Sequence, residues 1–323
     1  MILNGIIAVC LAVLAGWGQE WSPAVYGLGF LVSFAVFALG KLALRGHTLL
    51  RTIGGVSALG ALSLSVLTKG GFWTFLWSFL SLNLGLILLA VAVLLIVTGA
   101  VDLSKPQAEH DDKVYRRIMD LYIAFLIDLA GVRVHGRGLQ NIPKEGRFLL
   151  VCNHLYVADP GILLNAFPKS QLAFITKQEN QKIPVINKFM YKILCQNLDR
   201  EDDRQALKVI LKCIQLLKDD EVSVAVFPEG YTSRDGKLHL FRNGVFKIAQ
   251  KAKVPIVVCT IQNTRAVFHN LKRLKPTDVA LHLVDVIPAQ ELEGKTTVEI
   301  GDRVWEMMIS DLGESFRPIE TEA

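Results

Sequence analysis

The chain has 323 residues, enough for two domains or more, and 51% of them are hydrophobic. Its net charge of +5 comes from lysines and arginines mixed among acids, which argues against nucleic-acid binding and suits a mildly basic face near an anionic bilayer. The apolar excess is uneven along the chain. Residues 1–101 carry few ionised groups: Glu20, Lys41, Arg45, Arg51 and Lys69. From residue 102 onward the composition is that of an ordinary soluble domain.

The first region contains four apolar segments: Ile2–Gly16, Ala24–Leu44, Leu49–Leu67 and Phe72–Val101. Crossing the hydrocarbon of a bilayer takes about 20 residues of helix, which the second and fourth segments supply. The third is rich in glycine and serine, which allow helices to pack closely in lipid. The first is marginal in length and lacks the basic start and the cleavage site of a signal peptide, so we interpret it as retained. The sequence therefore predicts three or four membrane helices.

The loop between the second and third segments is basic, with Lys41, Arg45, His47 and Arg51. Basic loops remain in the cytoplasm, and four crossings put everything after Val101 on the same side as this loop. Three crossings would put the amino terminus outside and leave the later part of the chain cytoplasmic as well. We therefore predict an integral membrane protein with a cytoplasmic soluble domain.

Residues 102–112, with Pro106 among charged side chains, predict a linker between the membrane region (1–101) and a soluble domain (113–323). The apolar period of the next stretch predicts a helix over Val114–Leu129. This helix is basic at its start and apolar later. It either lies in the membrane interface or packs against the domain.

Predicted strands and helices alternate along the soluble domain. The strands are Val132–His135, Phe148–Val151, Leu172–Thr176, Val222–Phe227, Pro255–Thr260 and Val279–Val286, and the helices are Pro160–Phe167, Val185–Leu194, Asp203–Lys218, Phe241–Ala252 and Val298–Phe316. Alternation of this kind predicts a layered α/β domain with a mostly parallel sheet and flanking helices.

The five cysteines are Cys10, Cys152, Cys195, Cys213 and Cys259, and no two of them form a CxxC pair. Four fall in apolar runs, where cysteine is typical of a small core residue. This pattern suits a reducing compartment and favours neither a zinc site nor a disulfide framework. No metal is predicted.

The stretch Phe148–Pro160, which reads FLLVCNHLYVADP, contains the first candidate site. Its apolar start predicts a buried parallel strand, and α/β proteins usually build their sites at the carboxyl edge of such a sheet. His154 follows this strand, and Asp159 stands five positions later. An imidazole held by a carboxylate is what a general base needs, although an aspartate that caps the next helix would explain the same spacing.

Two other stretches are candidate parts of the site, one at the end of a short apolar run and one within a predicted strand. Asp199 and Arg200 follow a short apolar run, and arginine suits phosphate because its fork donates two charge-assisted hydrogen bonds. Alone, such a pair is more often a surface ion pair. Val254–Val258 is apolar and either lines a pocket for an acyl chain or packs in the core.

A more specific signal follows the strand that ends at Phe227. The stretch Phe227–Arg234 places the carboxylate of Glu229, the backbone N–H of Gly230 and the guanidinium of Arg234 close together along the chain. Such a set is able to hold a polar head group or to stabilise developing charge.

These four blocks, in their order and spacing along the chain, resemble the glycerolipid acyltransferase family, in particular its 1-acylglycerol-3-phosphate acyltransferases of the PlsC type. The family's blocks are a histidine, four residues and an aspartate; an aspartate–arginine pair; Phe-Pro-Glu-Gly-Thr-Arg-Ser; and an apolar Val-Pro-Ile. Here they are matched by His154–Asp159, Asp199–Arg200, Phe227–Ser233 and Val254–Ile256. The resemblance covers about residues 131–260. In one departure, Tyr231 and Thr232 stand where the family has threonine and arginine, and Arg234 is two positions later.

The resemblance implies an enzyme that moves an acyl group from an acyl thioester, acyl-CoA or acyl carrier protein, to the sn-2 hydroxyl of 1-acylglycerol 3-phosphate. The product would be phosphatidic acid, and no cofactor is implied. His154 would be the general base and Asp159 would orient its ring. The implied substrate-binding residues are Asn153, Lys177, Arg200, Glu229, Gly230, Thr232, Ser233 and Arg234.

Other interpretations remain open at this point. The acceptor could be another lysophospholipid or glycerol 3-phosphate, or the chain could bind lipid without turnover. A hydrolase or metal enzyme that uses His154 and Asp159 is disfavoured by the shortage of other histidines nearby in the sequence.

Overall fold

The structure is a computed structural model that describes residues 49–199 and 202–318. Contacts divide the chain into two compact units, a first that ends at Ala100 and a second that begins at Val101. The boundary coincides with the break in composition. The two units are therefore described one at a time.

Two apolar helices form the described part of the first unit: α1 spans Leu49–Leu67 and α2 spans Gly71–Gly99. Phe72–Gly99 is long and apolar enough to cross a membrane, since its 28 residues rise about 42 Å against a hydrocarbon core of about 30 Å. This supports membrane association. The apolar stretch of α1 is shorter. The predicted segments Ile2–Gly16 and Ala24–Leu44 lie outside the described residues, so the number of crossings stays a prediction.

A seven-stranded sheet forms the centre of the second unit as far as the structure describes it. Its strands are β1 (Val132–Arg137), β2 (Leu149–Cys152), β3 (Leu172–Lys177), β4 (Gln196–Leu198), β5 (Ser223–Val226), β6 (Ile256–Gln262) and β7 (Thr277–Ile287). They lie in the order β1-β7-β6-β2-β5-β3-β4, and every neighbouring pair is parallel except β6 and β7. The predicted mostly parallel sheet is confirmed.

Helices accompany this sheet. They are α3 (Lys113–Leu129), α4 (Asp159–Ala166), α5 (Ile186–Lys192), α6 (Asp203–Lys218), α7 (Lys247–Ala252), α8 (Val267–Leu271) and α9 (Thr297–Leu312). Three begin at side chains that satisfy free N–H groups of the first turn. At the start of α3, Asp112 accepts the N–H groups of Val114 and Tyr115. Asp202 accepts two backbone N–H groups at the start of α6, and Thr296 forms a capping box with Glu299 at the start of α9.

Strand β2 lies between β5 and β6 in the middle of the sheet, and all four of its residues are buried. Leu149 and Val151 pack in a core that also contains side chains of α6, α7 and α9. Leu150, which points to the opposite face, is fully buried too. Burying one leucine completely contributes about 1.5–3 kcal/mol to the free energy of unfolding. The buried strand β2 therefore holds the start of the loop that follows it.

The structure contains two short elements that the sequence pattern did not predict, β4 and α8. They have 3 and 5 residues, too few to show a period. The predicted helix Phe241–Ala252 was too long at its start. It is a 3-10 turn over Asn243–Phe246 followed by α7.

Helix α3 packs against the rest of the second unit, as one of the two interpretations of this stretch predicted. Its placement in a membrane interface stays a prediction. The buried guanidinium of Arg116 pairs with the buried carboxylate of Asp111 at 2.7 Å and donates to the carbonyl of Leu172 at 3.0 Å. The stretch predicted as a linker also lies on this unit. The side chain of Gln107 donates to the carbonyl of Tyr191 at 2.9 Å.

Candidate active site

The loop after β2 is fixed at its first residue, Asn153. The side chain of Asn153 is buried, donates to the carbonyl of Ile261 at 2.9 Å and accepts the N–H of Ile261 at 2.8 Å. Asn153 was predicted to bind substrate. The oxygen and the nitrogen of its side-chain amide both bond to Ile261, which joins the start of the loop to β6 directly before His154. A contact of Asn153 with substrate stays a prediction.

His154 and Asp159 meet, as their spacing predicted. Nδ1 of His154 lies 2.8 Å from Oδ2 of Asp159, and the same oxygen accepts the N–H of Leu155 at 2.7 Å and of Tyr156 at 2.8 Å. Because Oδ2 is thereby an acceptor, Nδ1 carries a proton, and Nε2 is the nitrogen that has the lone pair when the ring is neutral. Asp159 is fully buried and opens α4, so it both holds the ring and begins the helix.

The other nitrogen of His154 faces a hydroxyl. Nε2 lies 3.1 Å from Oγ1 of Thr232, and the His154 side chain remains 16% exposed. The ring of Phe227 stacks on the imidazole, with centroids 4.1 Å apart and planes 16° apart. The ring therefore has little freedom to turn, and Nε2 points at a position where an alcohol oxygen can sit.

Glu229 joins two loops of the site. One carboxylate oxygen accepts the backbone N–H of His154 at 2.9 Å, and the other accepts the backbone N–H of His239 at 3.0 Å. Glu229 is 1% exposed. Burial raises its pKa to about 7, against the opposing pull of these two hydrogen bonds. Each carboxylate oxygen accepts one backbone N–H of the protein, so Glu229 links the two loops. Its contact with substrate stays a prediction.

Ionisation of Glu229 should reduce stability, because its pKa of about 7 lies above the ordinary 4.5. The folded chain then binds this proton more tightly than the unfolded chain, so the contribution of Glu229 to the free energy of unfolding falls as the pH rises from about 4.5 to about 7, by about 3 kcal/mol. Glu229→Gln should remove that slope. Thermal unfolding of both chains by circular dichroism, at about pH 5 and about pH 7, tests this, and equal pH slopes would contradict it.

A cavity of about 790 Å³ opens beside the histidine. It is lined by Leu155, Tyr156, Lys177, Tyr231, Thr232, Ser233, Arg234, Asp235, His239 and Arg265. Its volume is in the range usual for small-molecule sites. His154 itself is not among the lining residues, but its chain neighbour Leu155 and its hydrogen-bond partner Thr232 are. Nε2 is therefore separated from the cavity by the hydroxyl of Thr232.

The cavity is cationic. Lys177 ends β3, Arg234 follows β5, and Arg265 follows β6 in the 3-10 turn Thr264–Ala266. None of the ion pairs found in residues 49–199 and 202–318 involves these three side chains. Cations that are not already paired suit an anionic ligand such as a phosphate. The predicted residues Lys177 and Arg234 therefore share one cavity.

Two of the remaining predicted residues shape the loop instead of facing the cavity with free groups. The N–H of Gly230 donates to the carbonyl of Phe227 at 2.9 Å, so the prediction that it is free for substrate is wrong. Ser233 is buried, donates to Asp235 at 2.9 Å and accepts the N–H of Gly236 at 3.0 Å. These bonds fix the turn that carries the neighbouring arginine.

Arg200 lies outside the described residues, so its predicted contact with a phosphate stays a prediction. Its neighbour Asp199 follows β4, where its backbone N–H donates to the side chain of Gln205 at 2.9 Å.

Sequence reasoning missed Arg265 and His239. A cation just after a buried strand was the available signal for Arg265, the same signal that drew attention to Arg200. His239 carried no local signal. His239 is held in the cavity wall by two contacts. Its backbone N–H donates to Glu229, and the centroid of its ring lies 5.5 Å from that of Tyr231.

Comparison with known proteins agrees with this geometry. A sequence model of the acyltransferase family matches residues 132–262. A probable 1-acyl-sn-glycerol-3-phosphate acyltransferase from Mycoplasma pneumoniae is 31% identical over 216 residues, which span 64% of this chain and 80% of the relative. The chain belongs to the acyltransferase family. The four blocks that predicted this membership all fall inside the matched residues.

Two further comparisons place this acyltransferase among its relatives. The 1-acyl-sn-glycerol-3-phosphate acyltransferase of Borreliella burgdorferi is 28% identical over 176 residues, 53% of this chain and 70% of the relative. The crystal structure of the 1-acyl-sn-glycerophosphate (LPA) acyltransferase PlsC from Thermotoga maritima has a TM-score of 0.54 at 23% identity and covers 71% of this chain and 90% of its own. That likeness shows that the acyltransferase shares the fold.

Proposed function

We propose that this acyltransferase moves a fatty acyl group from an acyl thioester to the sn-2 hydroxyl of 1-acylglycerol 3-phosphate, giving phosphatidic acid. The observation that carries the proposal is the His154 ring, with Nδ1 on buried Asp159 and Nε2 on the hydroxyl of Thr232, which lines a cavity with three cationic side chains. The relatives named for this reaction support the choice of acceptor.

In the proposed reaction His154 removes the proton of the acceptor hydroxyl as the oxygen attacks the thioester carbon. The tetrahedral intermediate then collapses, the C–S bond breaks, and the thiol leaves with the proton that Nε2 had taken. Asp159 remains an acceptor throughout and stabilises the imidazolium. The reaction needs no cofactor, since the thioester supplies the driving force.

A cysteine nucleophile has no place in this scheme. Cys152 is the cysteine nearest to His154 in the chain and is fully buried. Burial holds the pKa of its thiol well above the ordinary value, which keeps it from forming the reactive thiolate.

The acceptor phosphate would be bound by the cations of the cavity, Lys177, Arg234 and Arg265, together with Arg200. Arg234→Ala and Arg265→Ala should each raise KM for the acceptor about tenfold, since one charge-assisted hydrogen bond contributes about 1.5–3 kcal/mol in a buried site and less in an open one. Arg200→Ala should act in the same direction. KM for the donor should stay as it is, and exposed Lys208→Ala on α6 is the matched control. An acceptor KM unchanged in both arginine variants would count against phosphate binding here.

Thr232 suggests a second mechanism, in which the acyl group is first transferred to its hydroxyl. Its hydroxyl contacts Nε2, so Thr232, His154 and Asp159 have the order of a nucleophile, a base and an orienting acid. Acylation of Thr232 would release the thiol, and the acceptor oxygen would then attack the threonine ester. We favour direct transfer, because it needs a single attack on the acyl carbon and no covalent acyl-enzyme.

Direct transfer predicts that the chain keeps its intact mass when it is incubated with donor alone. Mass spectrometry after rapid acid quench measures this, with Thr232→Val as the control. An added acyl group in the wild-type chain, absent from the Thr232→Val chain, would replace direct transfer by the two-step route.

The donor and the exact acceptor are tested together. Full-length chain in proteoliposomes would receive acyl-CoA or acyl carrier protein and a panel of acceptors: 1-acylglycerol 3-phosphate, other lysophospholipids and glycerol 3-phosphate. Mass spectrometry of the lipids should find phosphatidic acid as the main product. A different main product would change the acceptor, and no product with any pair would leave a lipid-binding homologue without turnover.

We further propose that the second unit works at the cytoplasmic face. The basic loop Lys41–Arg51 supports this orientation through the positive-inside rule. The long apolar helix Phe72–Gly99 supports anchoring in the bilayer that holds the acceptor.

A further inference from the structure

The connection between β6 and β7 ends in a turn with an exposed leucine. Leu274 is 92% exposed and has φ +52. Its N–H donates to the carbonyl of Leu271 at 3.0 Å, and the N–H of Lys275 donates to the carbonyl of Asn270 at 2.9 Å, so the turn is ordered. Left-handed backbone favours glycine or asparagine. Leu194 has a similar φ of +65 but is fully buried, so packing offsets its cost, whereas Leu274 has no such burial.

This turn lies at the same edge of the sheet as the cavity. β7 is antiparallel to β6 and begins where β6 ends, with Gln262 opposite Ala280. The loops that carry His154 and Thr232 leave this edge as well, after β2 and β5. Exposed bulky apolar side chains lie in the loops after β2 and β5 and in the connection between β6 and β7, which includes α8. They are Val157 (68%), Leu240 (82%), Phe268 (44%) and Leu274, which we call the edge patch.

The edge patch meets the cavity wall at Phe268. The ring of Phe268 lies 5.7 Å, centroid to centroid, from the ring of Tyr156, which lines the cavity wall. Because this apolar surface lies beside the proposed acceptor site, a lipid acceptor that enters the cavity would contact it.

Positive charge surrounds the apolar tip. Lys272, Arg273 and Lys275 flank Leu274 and are all exposed. The sequence has no acidic residue from Arg265 to Thr277. Apolar side chains between lysines and arginines are typical of segments that lie in the interface of an anionic bilayer, where the apolar groups enter the acyl region and the cations stay at the headgroups.

We propose that the edge patch inserts into the surface of an anionic bilayer beside the mouth of the cavity. The insertion follows from exposure, charge and topology. Its consequence, that a lipid acceptor enters the cavity from the bilayer without crossing water, rests on the proposed function.

Insertion is tested with a fluorescent label on the full-length chain in proteoliposomes. The four cysteines of the described residues are buried, and Cys10 is replaced by serine (Cys10→Ser). A thiol-reactive bimane should therefore label Leu274→Cys selectively. The matched control is Glu145→Cys, an exposed position in the loop that enters β2 at the opposite edge. Brominated phosphatidylglycerol should quench the label at position 274 at least about threefold more than the label at 145, as expected for a group in the acyl region. Equal quenching would overturn the proposal.

A second set of variants separates the bilayer from other occupants. Leu274→Asp should raise KM about fivefold or more for a long-chain acceptor presented in vesicles and leave KM for a short-chain soluble acceptor unchanged, whereas Leu274→Phe should behave as wild type. Replacing Lys272, Arg273 and Lys275 together by glutamine should weaken quenching in anionic vesicles and not in neutral ones.

Two results would show that the edge patch binds a protein and not a bilayer. If the triple glutamine variant raised KM for acyl carrier protein without changing the quenching, the surface would belong to that acidic protein. If the label were shielded in detergent by self-association, it would belong to a second copy of the chain. Because quenching is read without turnover, failure of the insertion and failure of the proposed reaction give different results.

Discussion

His154→Ala should lower kcat/KM for acyl transfer by about 10³-fold or more, since general-base catalysis alone contributes about 10²–10⁴-fold and the ring is placed to take the acceptor's proton. The loop should survive the change. The backbone N–H of residue 154 would still donate to the carboxylate of Glu229, and its carbonyl would still accept the N–H of Ser233, because neither bond uses the side chain of His154. Radiolabelled donor in proteoliposomes measures the rate, and circular dichroism measures the fold.

The chain offers a matched control for this variant. His135 is an exposed histidine that also contacts an aspartate, Asp278, at 2.7 Å, but on the outer strand β1. His135→Ala should leave the rate within about twofold of wild type, as surface substitutions usually do. Transfer that persists at a tenth of the wild-type rate in a folded His154→Ala chain would remove His154 as the base.

Asp159→Asn should lower kcat by about 10²–10⁴-fold with little change in KM for either substrate, because the acid acts on the base and not on the substrates. Oδ2 of Asp159 accepts three donors, His154 Nδ1 and two backbone N–H groups, while Oδ1 is buried and has no partner among the described residues. An asparagine must put its NH₂ at one of these positions. It would face other donors or remain buried and unpaired, so the thermal stability should fall as well.

Asp278→Asn is the control, since it makes the same exchange in the exposed histidine–aspartate pair. A positioning role for Asp159 also predicts that Asp159→Glu recovers little activity, because the longer chain cannot keep all three donors in place. An Asp159→Asn enzyme with wild-type kcat and a raised KM for the acceptor would show instead that Asp159 contacts the substrate.

The part of the site that was predictable from sequence is the part that is local along the chain. His154 and Asp159 are five positions apart, and a strand that ends at Cys152 leaves both in one loop and the helix start after it. Hydrophobic runs also identified the strands β2, β5 and β6 because each is buried on both faces. The parallel α/β class followed from the alternation of such runs with helices.

The contacts that were not predicted depend on the order of strands in the sheet, which no local pattern contains. Asn153 and Ile261 are 108 positions apart and bond because β6 lies beside β2. Glu229 is drawn inward because β5 is the other neighbour of β2, so both of its oxygens find backbone N–H groups. Arg265 reaches the cavity for the same reason, from the end of β6. The sequence reveals which chemical groups are present, but their contacts across the sheet required the fold.

A structure of the full-length chain with 1-acylglycerol 3-phosphate and no donor would test the central claim most directly. It should place the sn-2 oxygen within about 3 Å of Nε2 of His154, in exchange for Thr232, with the phosphate against Arg234 and Arg265. A head group bound away from these cations, with the hydroxyl beyond reach of the imidazole, would contradict the account.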